Sequence, residues 1–383
     1  MADLAIPCVV MRGGTTRGLF FRREDLSDEP ARRDRALVAA VGGPDPRQVD
    51  GLGGADLLLS KVVVLWPGGR EGIDVEVTFG SAAPGRTAPA YGANCGNLIS
   101  AVALYAVEEG LVSPGAGPAT VRMYNTDSRS IIEGRLGEAP ADLEQVCRLA
   151  GMPASGSWVE LDFLAPSCTV QGKFLPTGRA VDVVRLSDGS QVQFTLIDCG
   201  ALYAFVPAGQ FGLDMARLTP EIQHNAETMR RFESVRSQAA VLAGLVDRPA
   251  DALARTPAVP KLALVGPPAD FAAKDQGTLA AGAMDLTSRI ISTQEFHQAY
   301  AVTGAIATAA AAAVQGSVVA QAASLPGKQR GWTRLRIGHP TGVIACSVHA
   351  VDGPAGLTVD RARIGRTARR VMAGKVLVPD GPQ

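Results

Sequence analysis

Residues 91–110 read YGANCGNLISAVALYAVEEG, and the segment after Asn97 is apolar on almost every side. This run predicts a helix from about Gly96 to Glu109 that stops at Gly110, because glycine commonly terminates helices. A helix that is apolar all round has to be covered by other elements. We therefore expect it at the centre of a domain, with Cys95 at its entrance.

A second helix of this kind is predicted over residues 303–316, TGAIATAAAAAVQG. A tyrosine precedes each helix, Tyr91 in the first half and Tyr300 in the second, which suggests a weak internal repeat. Runs with β-branched residues or alternating polarity predict strands at residues 5–11, 19–21, 61–66, 73–80, 120–126, 130–136, 192–199, 201–207 and 261–266. The expected fold class is α+β, with two similar domains that each wrap a barrel-like sheet around a central apolar helix.

The length of 383 residues is more than one hydrophobic core usually serves, so two domains are expected. We place the first at residues 1–180, with 370–383 as a candidate addition, and the second at 181–369. Residues 140–167 have turn residues and mixed polarity, which favours a boundary soon after them.

The charges balance, because Lys plus Arg and Asp plus Glu each number 37. This gives no net attraction to nucleic acid or to an anionic membrane, and neither is an expected partner. No secretion signal and no membrane-spanning run are recognisable, so we expect a cytoplasmic protein that acts on a small molecule. A homo-oligomer is compatible with the composition, which does not specify an oligomeric state.

The six cysteines are scattered without a C-x-x-C pair, which argues against a zinc or iron–sulfur site and favours reduced thiols. The dinucleotide-binding, P-loop and serine-hydrolase motifs are absent as well. We therefore expect no metal and no cofactor, and acid/base chemistry on a small anion.

Cys95 and Lys61 are the candidate acid/base residues. The N-terminus of a helix carries partial positive charge, which favours a thiolate at Cys95; the alternative is a small buried residue without a role in catalysis. Lys61 precedes a strand, and a partly desolvated lysine can act as a base; the alternative is an ordinary solvated lysine at a strand end.

Gly-rich turns supply the candidate anion site. In RGGTTRG, residues 12–18, backbone N–H groups and hydroxyls can converge on a carboxylate; a tight turn between two strands is the alternative. PTGR at 176–179 and HPTG at 339–342 are weaker candidates of the same type. The predicted substrate-binding residues are Arg12, Gly13, Gly14, Thr15, Thr16, Arg17, Ser60, Asn94, Gly96, Asn97, Thr177, Gly178, Thr303, Gly304, His339 and Pro340.

Six segments in chain order carry a resemblance to a known family: MRGGTTRG, GGPDPRQVDGLGGADLLLSK, ANCGN, GKFLPTGRAVDV, IGHPTGV and RTARRVMAG. They resemble the family of 2-methylaconitate cis-trans isomerase, methylitaconate Δ-isomerase and 4-oxalomesaconate tautomerase, over residues 6 to about 378. The resemblance implies the diaminopimelate epimerase fold, with an active site between two similar domains.

The resemblance also implies cofactor-independent proton transfer that moves a double bond in an unsaturated di- or tricarboxylate. The family's proposed acid/base lysine falls on Lys61 and its cysteine on Cys95. Helix N-termini at Gly96 and Gly304 would stabilise the developing charge. The resemblance does not say which of the two residues is the base.

The chain departs from the family pattern in three places. Residues 15–18 are TTRG where TSKG is common, residues 57–61 are LLLSK where PLTSK is common, and residues 198–202 lack the usual asparagine. These changes keep open a carboxylate-binding accessory protein without catalysis. An amino-acid epimerase of the same fold would need a second thiol; Thr303 takes that place, and the role of Cys199 is unassigned.

Overall fold

The computed structural model describes residues 3–56, 58–91, 95–113, 115, 117–138, 156–170, 172–218, 220–274, 277–292, 295–323, 325, 330–353 and 356–379. The strands are β1 Asp3–Gly13, β2 Thr16–Arg22, β3 Lys61–Pro67, β4 Val75–Ser81, β5 Thr120–Asn125, β6 Ser130–Gly137, β7 Ser157–Leu164, β8 Asp182–Arg185, β9 Gln191–Cys199, β10 Ala201–Pro207, β11 Lys261–Gly266, β12 Phe271–Ala273, β13 Gly277–Leu279, β14 Leu286–Ser292, β15 Glu295–Phe296, β16 Gly331–His339, β17 Gly342–Gly353 and β18 Gly356–Pro379. The helices are α1 Pro30–Val41, α2 Gly96–Glu108, α3 Ala226–Leu242, α4 Ala252–Arg255, α5 Val302–Ala312 and α6 Val318–Ala322.

The chain divides into two compact units. Unit 1 comprises Met1–Cys147, Met152–Leu164 and Gly365–Gln383, and unit 2 comprises Arg148–Gly151 and Ala165–Ile364. The N-terminal part of unit 1 therefore ends at Leu164, whereas the predicted first domain extends to residue 180, and the segment Gly365–Gln383 belongs to unit 1 as well. The physical reason is that the segment after Leu164 joins the sheet of unit 2, where Ser167 forms a bridge with Cys199.

The sheet of unit 1 runs β1-β2-β3-β4-β5-β6-β7 and returns to β18, which also pairs with β1. The sheet is therefore closed, as the predicted barrel requires. The β1–β2 and β3–β4 pairs are antiparallel, and all four strands overlap the runs predicted as strands. Helix α2 packs against β1, β2, β5, β6 and β7, and all of its residues from Gly96 to Ala106 are buried.

The sheet of unit 2 runs β8-β9-β10-β11-β14-β16-β17 and ends at the first part of β18. Helix α5 packs on β9, β10, β16 and β17, and each of its eleven residues is buried. Each unit thus has a predominantly apolar, buried helix covered by strands, and the predicted fold class is confirmed. Helix α3 begins at Ala226, because Asn225 caps it by accepting a hydrogen bond from the Thr228 N–H.

Within the described part of the chain, no helix combines the length and the hydropathy that crossing a membrane requires. The assignment to the cytoplasm stays a prediction.

Candidate functional site

The turn between β1 and β2 lies directly against the first turn of α2. A Cβ added at Gly13 would collide with the carbonyl oxygen of Asn97, and one added at Gly14 would collide with the Asn97 side chain. Gly14 also has a φ of 52°, in the left-handed region that glycine tolerates best. These two glycines allow the hairpin backbone to approach the helix entrance.

Asn97 ties the hairpin, the helix and the last strand together. Its Nδ2 donates to the hydroxyl oxygens of Thr15 and Thr16, at 3.2 Å each. Its Oδ1 accepts from Nε of Arg366 at 3.1 Å, and Arg366 is 6% exposed. The helix entrance therefore has a buried guanidinium beside it, held in place by the asparagine.

Arg12 is a second buried guanidinium at the same turn. Its Nη1 donates to the carbonyl oxygen of Gly14 at 3.0 Å and to the carbonyl and hydroxyl oxygens of Thr367 at 3.2 and 3.1 Å. Burial lowers its pKa, and the positive charge of Arg369 lowers it further. The turn predicted to bind an anion is thus braced by buried positive charge.

Arg17 and Ser60 form hydrogen bonds with residues of the loop that leads to β3. Arg17 Nη2 donates to the carbonyl oxygens of Leu52 and Gly53 at 3.2 and 3.3 Å. The hydroxyl of Ser60 is fully buried and donates to Oε1 of Gln48 at 2.5 Å. Both residues hold the approach to Lys61, and their role in substrate binding stays a prediction.

Lys61 is the first residue of β3, and its Nζ donates to Oγ of Ser81 on β4 at 2.9 Å. It pairs with Gly18 of β2. A Cβ at Gly18 would be 2.9 Å from Cδ1 of Leu98 and 3.5 Å from Cβ of Lys61, so the lysine and the first turn of α2 flank the same glycine. The strand order therefore brings Lys61 to the helix entrance.

Cys95 is the N-cap residue of α2, is partly exposed and makes no capping bond with its side chain. Its carbonyl oxygen accepts the first helical bond, from the N–H of Ile99 at 3.2 Å. The thiol is thus next to the N–H groups of Gly96 and Asn97, which have no partner earlier in the helix. Asn94, the other polar residue predicted here, lies outside the described residues.

The corresponding entrance in unit 2 is filled by tyrosines. Tyr203 Oη is 3.5 Å from Oγ1 of Thr303, and Tyr300 Oη donates to Oγ of Ser288 at 2.8 Å. A Cβ at Gly304 would collide with the end of the Ile290 side chain. Thr303 is buried, and the N-cap position is an alanine.

The two weaker turns differ in their surroundings. In PTGR, Thr177 Oγ1 donates to Asp182 at 2.8 Å and Gly178 N–H donates to Leu175 at 2.9 Å, so this segment is a turn closed by its own bonds. In HPTG, the ring of His339 is 5.8 Å from that of Tyr300, and its Nδ1 accepts from Thr341 N–H at 3.4 Å. His339 and Pro340 thus lie near the α5 entrance, and the substrate-binding role of Thr177 and Gly178 stays a prediction.

Cys199 is a buried thiol of the unit 2 sheet. It is fully buried on β9, and burial raises its pKa well above the ordinary thiol value. Oγ of Ser167 lies 3.8 Å from its sulfur. A thiol with a raised pKa is a poor source of thiolate, so this residue packs the core.

Arg366 and Thr367 were not among the predicted site residues. They lie on β18, in the segment RTARRVMAG, and are separated from Asn97 and Arg12 by more than 260 positions. The sequence signal that could have identified these two residues is the presence of polar residues in a strand whose other residues are about half apolar.

The model of the family described as PrpF protein matches residues 3–379. The chain belongs to the PrpF protein family. It is 32% identical to 3-methylitaconate isomerase of Eubacterium barkeri, over 99% of this chain and 98% of that protein. It is 33% identical to (4E)-oxalomesaconate Delta-isomerase of Novosphingobium sp. (strain KA1), over 97% of each chain.

Two solved structures extend the comparison. The crystal structure of methylitaconate-delta-isomerase superposes with a TM-score of 0.81 and 30% identity, covering 99% of this chain and 96% of that one. A hydroxyproline epimerase from Agrobacterium vitis matches with a TM-score of 0.54 and 13% identity, over 98% and 93% of the two chains. The second likeness concerns the fold alone, and both agree with the predicted epimerase-like architecture of this PrpF-family chain.

Proposed function

We propose that this PrpF-family protein is an isomerase that moves a C=C bond within an unsaturated di- or tricarboxylate. The observation that carries the proposal is the similarity, over nearly the whole chain, to isomerases named for methylitaconate and oxalomesaconate. These substrates are small unsaturated acids with more than one carboxylate. The reaction class requires a proton to leave one carbon and a proton to arrive at another.

Lys61 and Cys95 are the residues we assign to these two transfers. One takes a proton from the saturated carbon next to the double bond, and the electron pair moves toward the carboxylate. The other returns a proton at the far end of the allylic system, so that no atom or electron is gained or lost. Their placement supports the pairing. Cys95 is the N-cap residue of α2, and Lys61 shares a close neighbour, Gly18, with the first turn of that helix.

Positive charge at the same entrance suits the intermediate. The buried guanidinium groups of Arg12 and Arg366 and the N-terminal N–H groups of α2 present donors and partial charge. An enolate-like intermediate carries more negative charge than the substrate, so these groups lower its energy selectively. Asn97, which holds Arg366, would keep this arrangement rigid.

The test is proton NMR in deuterated buffer with 3-methylitaconate, 2-methylaconitate and 4-oxalomesaconate. The native protein is expected to move the double bond of at least one acid and to introduce deuterium. Lys61→Gln is expected to reduce turnover by about 10²–10⁴-fold, as loss of a general acid or base does.

Lys375→Gln serves as the matched control, because Lys375 is an exposed lysine on β18 away from the α2 entrance. Unchanged turnover in Lys61→Gln would refute the assignment of the lysine. Tight binding of these acids by the native protein, without deuterium uptake, would identify a carboxylate-binding protein and refute the isomerase.

A further inference from the structure

Ser81 contacts Lys61 and has no role in the assignments above. The two residues are direct partners in the antiparallel β3–β4 pair, so their side chains lie on the same face of the sheet. Nζ of Lys61 donates to Oγ of Ser81 at 2.9 Å. The amine assigned to proton transfer is therefore in contact with a hydroxyl of the neighbouring strand.

A hydroxyl is a suitable partner for an amine that has to change its protonation state. It has one O–H donor and two acceptor lone pairs, so it can accept from the ammonium form and also bond to the neutral amine. A carboxylate only accepts, and its charge stabilises the ammonium form over the neutral amine. The hydroxyl of Ser81 can therefore orient Nζ of Lys61 both before and after a proton transfer.

The backbone of Ser81 is anchored to the segment that leads to Cys95. Its N–H donates to the carbonyl oxygen of Ala90, and its carbonyl oxygen accepts from the Ala90 N–H, both at 2.9 Å. These two bonds form an isolated β-bridge. Ala90 lies shortly before Cys95 in the chain. Ser81 thus holds Lys61 through its side chain and the start of the Cys95 segment through its backbone.

A buried set of hydrogen bonds fixes the neighbours of Lys61 and Ser81. The Ala82 N–H donates to the carbonyl oxygen of Ser60 at 3.0 Å, which joins the residues adjacent to the pair. Gln48 spans the same two residues, because its Nε2 donates to the carbonyl oxygen of Ala82 at 2.9 Å and its Oε1 accepts from the Ser60 hydroxyl. Gln48 is 3% exposed. The backbone positions from which the side chains of Lys61 and Ser81 extend are therefore fixed on both sides.

We propose that Ser81 is a positioning residue, which holds Nζ of Lys61 in the place where it exchanges a proton with the substrate. The inference rests on the proposed function, because it takes Lys61 as one of the two proton-transfer residues. The lysine stem is flexible, and proton transfer requires the two heavy atoms to be within hydrogen-bond reach. Without the hydroxyl of Ser81, the amine spends less time in that position, and the chemical step becomes slower.

The experiment measures kcat and KM for the acid identified by NMR in deuterated buffer. Ser81→Ala is expected to lower kcat about tenfold or more, the loss that corresponds to one hydrogen bond to a charged group. KM is expected to stay within about twofold of the native value, because the missing contact acts on the chemical step.

Two further variants isolate the hydroxyl of Ser81. Ser81→Thr keeps the hydroxyl and is expected to retain kcat within about threefold of the native value. Ser81→Val introduces a side chain of nearly the same shape without the hydroxyl, and it is expected to lower kcat as much as Ser81→Ala does. This pair also keeps the test decisive if Ser81→Ala does not fold, which circular dichroism establishes for each variant.

A double-mutant cycle with Lys61→Gln separates positioning from a general loosening of β4. If Ser81 acts through the lysine, Ser81→Ala lowers the residual turnover of Lys61→Gln by less than about twofold. Thr78→Val is the matched control, since it removes a β4 hydroxyl that donates to Asp127 at 2.7 Å on the opposite face of the strand. It should leave kcat within about twofold of the native value.

Three results would overturn the positioning role of Ser81. They are native kcat in Ser81→Ala, equal losses from Ser81→Ala in the native and Lys61→Gln backgrounds, and a loss in Thr78→Val as large as that in Ser81→Ala. Unchanged turnover in Lys61→Gln would instead refute the proposed role of the lysine itself. Failure of the inference and failure of the proposed function therefore give different results.

Discussion

The entrances of α2 and α5 occupy equivalent places in the two units but have different chemistry. At α2 the N-cap is a partly exposed cysteine, with Lys61 and two buried arginines nearby. At α5 the N-cap is an alanine, and tyrosine hydroxyls surround a buried Thr303. The two entrances therefore share an architecture and differ in their side chains. This asymmetry agrees with a one-thiol isomerase and disagrees with a symmetric two-thiol epimerase.

The largest expected effect is on turnover, when one residue at each entrance is substituted separately. Cys95→Ala should lower turnover by about 10²–10⁴-fold, because it removes a proton-transfer group. Thr303→Ala should lower turnover by about tenfold or less, because it removes at most one hydrogen bond to a neutral group. Steady-state kinetics on the acid identified by NMR provides the measurement, and equal losses in the two variants would show that the entrances are not chemically distinct.

Glycine-to-alanine substitutions at the two entrances should lower the free energy of unfolding by different amounts. Gly13→Ala places a methyl group against the backbone of Asn97, which cannot move independently of α2, and should cost about 3 kcal/mol. Gly304→Ala meets the end of the Ile290 side chain and the hydroxyl of Tyr203 but no backbone atom, and alanine also favours the helix, so it should cost less, about 1 kcal/mol. Urea denaturation followed by circular dichroism compares the two free energies of unfolding. A cost for Gly13→Ala no larger than that for Gly304→Ala would contradict the close backbone approach.

The smallest expected effect is on the pH dependence of stability. It concerns Cys8, a buried thiol that contrasts with the partly exposed Cys95. Burial raises the pKa of Cys8 from 9.0 to about 12. The folded protein therefore retains this proton where the unfolded chain releases it, and stability is complete below pH 9 and falls as the pH rises above it. From pH 9 to pH 10 the loss should be about 1 kcal/mol.

Cys8→Ala should remove this part of the pH dependence. The measurement is the difference in free energy of unfolding between the native protein and Cys8→Ala at the two pH values, which cancels contributions from tyrosines. A pH slope that is identical in the two proteins would show that the thiol is not protected.

The elements that the sequence predicted well depend on local patterns. The hairpin at Gly13–Gly14, the strand that starts at Lys61 and the apolar helix after Cys95 each follow from a few neighbouring residues. The partners of Arg12 and Asn97 could not be predicted in this way, because Thr367 and Arg366 reach them from the last strand. The bonds of Arg17 to the carbonyl oxygens of a neighbouring loop could not be predicted either, and its role in substrate binding stays a prediction.

The pairing of β18 with β1 determines when the sheet of unit 1 can be completed during synthesis. Its register with β1 runs from Asp3 opposite Pro379 to Gly13 opposite Ala368. β1 is therefore synthesised well before β18, the strand that closes its sheet, and all of unit 2 is synthesised in between. During that interval the backbone N–H and C=O groups along this edge of β1 lack their final partners, a state in which strand edges are prone to wrong pairing. Completion of the unit that carries Cys95 and Lys61 thus follows the synthesis of unit 2, although most of its own residues are translated before that unit.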